Sequence, residues 1–194
     1  MKILMSLLMI LSFGFSAYAD KNEAPLTTVD SVDLTRYVGK WYEVASIPAS
    51  FQRKCLRSVT AEYSILDDGD IKVVNSCDEK NGKKNVAVAR AKIADAETNA
   101  KLKVAFFKFL GHYVFLFAGD YWIIDLDPNY QWAVVGAPNR KFGWILARTP
   151  TLPQSTLNEI AQGLADKGYN PCHLQTTVQD GGFEKKESLC NVLK

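Results

Sequence analysis

The sequence predicts an all-β protein: an eight-stranded up-and-down antiparallel barrel with one C-terminal α-helix packed on its outside. Two observations support this prediction. Short runs rich in β-branched and aromatic residues follow one another at regular spacing with turn residues between them, and one segment with helical spacing of apolar residues follows the last run. A closed barrel leaves no exposed sheet edge and encloses a space that can hold one small ligand.

The strand prediction is clearest between Ser58 and Ile65, where polar and apolar residues alternate without interruption. The next segment, Asp67-Asp68-Gly69-Asp70, is typical of a tight turn in which glycine adopts a positive φ. The runs on either side of it therefore form a hairpin. The full set of predicted strands is 41–47, 58–66, 71–75, 86–93, 100–107, 120–126, 130–137 and 143–148.

One helix is predicted after the last strand. Pro150 and Pro153 end that strand, and Gly168 is a suitable C-terminal stop for the helix. A single apolar stripe predicts that the helix packs flat on the outer face of the sheet. The stripe consists of Leu157, Ile160, Ala161 and Leu164.

The first nineteen residues have the features of a cleaved signal peptide. Lys2 is followed by an apolar run, 3–15, that is too short to span a bilayer, and Ala17-Tyr18-Ala19 fits a signal peptidase site. The first mature residue is then Asp20 and not the cysteine that a lipoprotein needs. We expect a soluble periplasmic or secreted protein, with a retained N-terminal anchor or a peripheral outer-membrane protein as alternatives. The expected mature chain has a polar leader (20–31), a barrel domain (32–178) and a disulfide-tethered tail (179–194).

Four cysteines lie in the mature part, and an even number in an exported chain indicates two disulfides. The simplest pairing is local, Cys55 with Cys77 and Cys172 with Cys190. The alternative pairs Cys55 with Cys190 and Cys77 with Cys172.

Composition argues against several other classes of protein. The formal net charge is only +2 and the basic residues are scattered, whereas a nucleic-acid-binding protein usually presents a basic face. No Cys-x-x-Cys pair is present and the only histidines are His112 and His173, so no metal site is expected. No cofactor is expected either.

Three ordered motifs carry a resemblance to a known family. They are Gly39-Lys40-Trp41-Tyr42-Glu43, Leu126-Asp127-Pro128-Asn129-Tyr130 and Trp144-Ile145-Leu146-Ala147-Arg148. Together they resemble the lipocalin family, and within it the bacterial Blc-type lipocalins and apolipoprotein D, over about Val32 to about Thr177. The resemblance implies a barrel that binds a small hydrophobic ligand and a role in lipid storage or transport during envelope maintenance.

The resemblance also places Gly39, Trp41 and Arg148 at the closed end of the barrel. The planar guanidinium of an arginine stacks well on an indole ring, so Arg148 is expected to cover Trp41 and to have a structural role. Glu43 shares the face of Trp41 and is expected to be a buried carboxylate with a hydrogen-bonding partner.

Strand alternation gives the candidate pocket. Each candidate is either a ligand contact or a plain core residue, because an error of one residue in strand parity reverses the inward set. The candidates are Tyr63, Val73, Asn75, Leu102, Val104, Phe106, Trp132 and Trp144. By resemblance, the mouth is formed by the loops 48–57, 76–85, 108–119 and 138–142.

The third mouth loop is strongly apolar from Phe109 to Phe117 and includes Tyr113 and Phe115. It is either a strand extension or hairpin packed on the barrel, or an exposed lid that touches the ligand or a membrane surface. Phe51 in the first mouth loop is expected to join it.

Carriage of a fatty acid or lysophospholipid is the leading hypothesis, because each buried methylene contributes ~0.8 kcal/mol to binding. The first alternative is a lipocalin-fold enzyme acting on a hydrophobic substrate. No histidine is placed beside a nucleophile, no phosphate-binding glycine loop is present and the cysteines are expected to be oxidised, so no catalytic residue is assigned. The second alternative is an interaction protein that uses the apolar loop on a membrane or a partner.

Overall fold

The structure is a computed structural model that describes residues Ala24 to Lys194; the predicted signal peptide lies outside them. Ten antiparallel strands precede the C-terminal helix. They are β1 (Gly39–Ser46), β2 (Arg57–Ile65), β3 (Ile71–Asp78), β4 (Lys84–Ile93), β5 (Lys101–Ala105), β6 (Lys108–Phe109), β7 (His112–Tyr113), β8 (Gly119–Leu126), β9 (Trp132–Gly136) and β10 (Gly143–Ala147).

Eight of these strands form the barrel. Neighbours in the chain pair with one another, β5 pairs with β8, and β10 closes the barrel on β1 through Tyr42 opposite Ala147 and Ser46 opposite Trp144. Strands β6 and β7 form a separate hairpin. The eight predicted strands are all present with ends that differ by no more than three residues, so the predicted barrel is confirmed.

The predicted helix is α2 (Gln154–Asp166), which follows a short helix, α1 (Leu34–Tyr37), at the start of the barrel. The buried residues of α2 are Leu157, Ile160, Ala161 and Leu164, as predicted, and they pack on the outer face of the barrel. Between Ala24 and Lys194 no helix is both long and apolar enough to cross a bilayer. Helix α1 was not predicted, because four residues are too few to show helical periodicity; Asp33 caps it by accepting from the Thr35 N–H at 2.9 Å.

The apolar residues form two cores, one on each face of the sheet. The inner core fills the closed end of the barrel, and the outer core lies between the sheet and α2. Inner residues include Trp41, Tyr63, Val73, Leu102, Ile123 and Leu146, and outer residues include Val44, Ile124, Trp132, Val134, Ile145 and Leu164.

One of the predicted inward orientations is wrong, and a second predicted residue lies at the mouth. Trp132 belongs to the outer core, because every residue of β9 is buried and no polar residue marks the outward face in the sequence. Phe106 follows the last residue of β5 and its side chain is 51% exposed, so it lies at the mouth.

A C-terminal segment, 175–180, completes the wall of the barrel. Strand β1 pairs with β2 only as far as Tyr42, opposite Thr60, and β11 (Gln175–Thr176) then pairs with β1 at Ala45 and Ser46. The following residues bond to both separated strands: the Thr177 N–H donates to the Val44 carbonyl at 2.9 Å, and the Ser58 N–H donates to the Val178 carbonyl at 2.8 Å. The segment therefore fills a gap between the two strands.

Both disulfides are local, as in the first of the two pairings considered from the sequence. Cys55 is bonded to Cys77, which ties the first mouth loop to β3, and Cys172 is bonded to Cys190. The second disulfide closes a loop that contains the segment 175–180.

Candidate ligand-binding site

The inward-facing side chains of the barrel are buried at one end and partly exposed at the other. Tyr63, Val73 and Leu102 point inward and are buried. Other inward-facing side chains are only partly buried. They are Asn75, Ala87, Val104, Tyr121 and Trp144. The exposed surface of these side chains borders a lumen, which is the candidate binding site.

Arg148 closes the barrel below the lumen. Its guanidinium carbon lies 3.7 Å from the ring centroid of Trp41, which is fully buried and donates from Nε1 to the Tyr37 carbonyl at 2.7 Å. The same guanidinium donates to the backbone carbonyls of Lys40 at 3.0 Å and Arg36 at 2.7 Å. Arg148 thus joins α1 to β1 and β10, which is the arrangement expected from the sequence.

Beside this contact Gly39 is favoured by its backbone conformation and not by lack of space. Its φ is +93°, in the left-handed region that favours glycine, and a Cβ atom there would lie 3.5 Å from Arg148 Nη1.

Three tyrosines meet inside the barrel above Trp41; we call Tyr37, Tyr63 and Tyr121 the tyrosine triad. The Tyr121 hydroxyl lies 2.8 Å from the Tyr37 hydroxyl and 2.9 Å from the Tyr63 hydroxyl. Burial raises the pKa of Tyr63 to about 12 and raises the pKa of Tyr37 and of Tyr121 well above the usual phenol value. All three are therefore neutral hydrogen-bond donors at physiological pH.

Glu43 is the only charged residue that is buried in the part of the chain described here. Its Oε1 accepts from Ser46 Oγ at 2.9 Å and from Thr177 Oγ1 at 2.6 Å, and its Oε2 accepts from Gln52 Nε2 at 2.8 Å. These bonds provide the partners expected for a buried carboxylate. They also connect β1 with the first mouth loop and with the segment 175–180, beside a cleft of about 70 Å³.

An aromatic row leads from the mouth into the lumen. Phe51 is 66% exposed in the first mouth loop, and its ring centroid lies 5.9 Å from that of Phe142. The Phe142 ring stacks in turn on Trp144, with centroids 6.0 Å apart and an interplanar angle of 8°. Trp144 Nε1 donates to Gln52 Oε1 at 3.4 Å, which fixes the position of the innermost ring.

The apolar loop is a hairpin on the outside of the barrel, one of the forms considered from the sequence. Strands β6 and β7 are joined by Leu110 and Gly111, both with positive φ, as in a tight hairpin turn. The Tyr113 hydroxyl donates to the Val88 carbonyl at 3.5 Å, and Lys92 Nζ lies 4.6 Å from the Phe115 ring centroid. The large exposed side chains of this apolar hairpin (106–117) are Phe106, Phe107, Phe109, Leu110, Leu116 and Phe117.

The structure brings together most of the predicted lining and adds residues that the sequence analysis missed. Tyr121 alternates with inward-facing Ile123 on a predicted strand, so strand parity was a usable signal for it. Tyr37 lies on the unpredicted helix α1, and Phe142 and Gln52 lie in loops, where alternation gives no information.

Comparisons with known proteins agree with this architecture. A lipocalin-like domain family matches residues 32–179. Temperature-induced lipocalin-1 of Arabidopsis thaliana is 36% identical over 79% of this chain and 83% of its own length, and the outer membrane lipoprotein Blc of Vibrio cholerae is 37% identical over 73% and 80%. Apolipoprotein D of Mus musculus is 31% identical over 77% of this chain and 78% of its own.

Among solved structures, insecticyanin of the tobacco hornworm Manduca sexta superposes with a TM-score of 0.63 at 22% identity, over 79% of this chain and 84% of its own. The cockroach allergen Per a 4 gives 0.59 at 18% identity, over 79% and 93%. These two likenesses concern the fold alone. The family match and the three relatives above 30% identity show that the chain belongs to the lipocalin-like family.

Proposed function

We propose that this protein carries or stores a fatty acid or lysophospholipid in its barrel, as an exported protein engaged in envelope lipid maintenance. Membership of the lipocalin-like family supports the binding of small hydrophobic ligands in general. The observation that carries the proposal is the partly exposed apolar surface on the inner face of the barrel, which includes Ala87, Val104 and Trp144. Such surface gains free energy when an acyl chain covers it, at ~25 cal/mol per Å².

The polar end of the ligand belongs at the mouth. Arg53, Lys54 and Lys83 are exposed on the first two mouth loops. A carboxylate or phosphate can remain hydrated there beside positive charges while the acyl chain enters along the aromatic row.

A carrier fits the described residues better than an enzyme does. All four cysteines are in disulfides, His112 is exposed on the apolar hairpin, and His173 contacts Asn170 rather than a buried acid. Two disulfides also suit an exported protein in the periplasm or outside the cell. The relatives named outer membrane lipoproteins support the same compartment.

The test compares two neighbours on β4 that face opposite ways. Ala87→Trp places a large side chain in the lumen, and we expect oleate affinity, measured by isothermal titration calorimetry, to fall at least tenfold. Val88→Trp is the matched control, because Val88 is 42% exposed on the outer face; its oleate affinity should stay within twofold of the native value. Thermal unfolding of both variants checks that each one folds. Equal affinity of the two folded variants would place the ligand outside the lumen and refute the proposal.

A second function is favoured by the apolar hairpin. We propose that it contacts the surface of an anionic phospholipid bilayer as a peripheral element. Leu110 and Leu116 are 83% and 82% exposed, and Phe117 is 75% exposed. Lys92 and Lys108 lie over hairpin rings with their side chains exposed, so the apolar surface is bordered by positive charge. Both features suit a bilayer with anionic headgroups.

A further inference from the structure

The tyrosine triad has one hydrogen-bond donor more than it can use internally. Each hydroxyl carries one hydrogen, so three hydrogens are available. The two contacts, from Tyr121 to Tyr37 and from Tyr121 to Tyr63, use two of them. No other acceptor in the described chain lies within hydrogen-bonding distance of these hydroxyls, so one O–H group remains without a protein acceptor.

When Tyr121 accepts from both Tyr37 and Tyr63, the free donor is its own hydroxyl, which lies next to the lumen. Tyr121 points into the barrel with Leu102 opposite it on β5, and it still keeps partial exposure. Because the residue faces inward, that exposed surface borders the lumen. Tyr37 and Tyr63 are buried, with 4% and 7% exposure, so Tyr121 is the member of the triad that an acceptor can reach from the lumen.

The surroundings of the triad disfavour a charged acceptor. Arg148, the cation at the closed end, lies over the Trp41 ring and is bonded to backbone carbonyls. Glu43 is the only charged residue buried among the described residues, and it is an anion. A carboxylate taken down to the triad would lose its hydration with no cation to pair with it.

We propose that the tyrosine triad is a binding site for an uncharged oxygen, a carbonyl or hydroxyl group, at the deep end of an otherwise apolar ligand. This inference rests on the proposed carrier function and narrows its ligand class. A lipid with an oxygen at its inner end accepts a hydrogen bond from the triad, whereas a lipid that ends in a hydrocarbon cannot. Its charged group, where it has one, stays at the mouth.

The experiment uses three probes of equal chain length: 2-dodecanone, dodecane and dodecanoate at pH 8. The protein is the full mature chain and its Tyr37→Phe/Tyr63→Phe/Tyr121→Phe variant, which keeps all three rings. Removing hydroxyl groups that bond to one another is close to neutral for folding. We expect the variant to bind 2-dodecanone about three- to tenfold more weakly, the range for one net hydrogen bond, and to bind dodecane and dodecanoate within twofold of the native chain.

A second measurement needs no variant. The carbonyl stretch of ¹³C-labelled 2-dodecanone bound to the native protein should lie below its frequency in alkane solvent, as expected for a hydrogen-bonded ketone. An unshifted band, together with equal affinity of both proteins for the ketone, would show that the free donor bonds to water. That result would overturn this inference but would leave the proposed carrier function unaffected. A larger loss for dodecanoate than for the ketone would contradict the assignment to uncharged oxygens. If no probe binds the native chain, the carrier function itself fails.

Discussion

At the scale of single residues, Arg148 joins several elements at the closed end through one side chain. Its planar guanidinium stacks on the Trp41 ring and donates hydrogen bonds to backbone carbonyls. These carbonyls belong to Arg36, Tyr37, Lys40 and Tyr130. A flat, five-donor guanidinium suits this role, whereas a lysine ammonium is a single point of charge on a flexible stem.

Arg148→Lys should therefore lower the free energy of unfolding by about 2 kcal/mol, since it keeps the charge but loses the stacking and most of the carbonyl bonds. Urea unfolding followed by tryptophan fluorescence measures the change. The control is Arg36→Lys, an exposed arginine that also lies over an aromatic ring, Tyr130 at 4.0 Å, and its loss should be clearly smaller. Equal losses for the two variants would mean that Arg148 has no special role at the closed end.

The residue scale also shows where sequence reasoning succeeds. Trp41 and Arg148 were predictable because each lies in a short motif and their chemistry suits stacking. The tyrosine triad was only partly predictable, since Tyr63 and Tyr121 occupy inward positions but Tyr37 joins them from a helix of four residues. The two hydrogen bonds of the triad join residues whose sequence separations are 84 and 58. Contacts over such separations leave no local pattern in a sequence.

At the scale of elements, the predicted strands are those with polar–apolar alternation, and the errors fall where alternation stops. Strand β9 is buried on both faces, so its sequence run does not distinguish the two orientations of Trp132. The sequence analysis assigned residues 175–178 to the end of the barrel domain and residues 179–180 to the C-terminal tail. Its role between β1 and β2 depends on partners such as Val44 and Ser58, which lie more than a hundred residues away.

That segment gives a prediction about its disulfide. Cys172→Ala/Cys190→Ala should lower the free energy of unfolding by about 3 kcal/mol, because the unfolded chain regains the freedom of a closed loop. It should also release the segment, so the Thr177 and Ser58 amides, which bond across the gap, should exchange with deuterium at least tenfold faster.

The matched control is Cys55→Ala/Cys77→Ala, whose disulfide closes a loop of similar length, with a sequence separation of 22 against 18. It should cost a similar free energy of unfolding but leave the Thr177 amide protected. Unchanged exchange at Thr177 in the first variant would show that Glu43 and the backbone bonds hold the segment without the disulfide.

At the scale of the whole molecule, the mouth and the apolar hairpin lie at the same end of the barrel. The hairpin connects β5 to β8 on the side opposite the closed end, where Arg148 lies. A bilayer contact through the hairpin would therefore bring the aromatic row of Phe51, Phe142 and Trp144 close to the lipid surface. Membrane contact and ligand loading would then be two steps of one process, with the lipid leaving the bilayer beside the lumen that receives it.

The corresponding prediction concerns Leu116→Ser/Phe117→Ser. Burial of one large apolar side chain contributes about 1.5–3 kcal/mol, so losing two should weaken binding to vesicles of phosphatidylethanolamine and phosphatidylglycerol more than tenfold, as measured by co-sedimentation. Oleate affinity should remain within twofold, because the hairpin lies outside the lumen. Ile65→Ser removes another exposed apolar side chain, 45% exposed at the closed end, and should leave vesicle binding unchanged. If the hairpin variant and the Ile65 variant bound vesicles equally well, the hairpin would not be the membrane contact, and ligand transfer would have to proceed through solution.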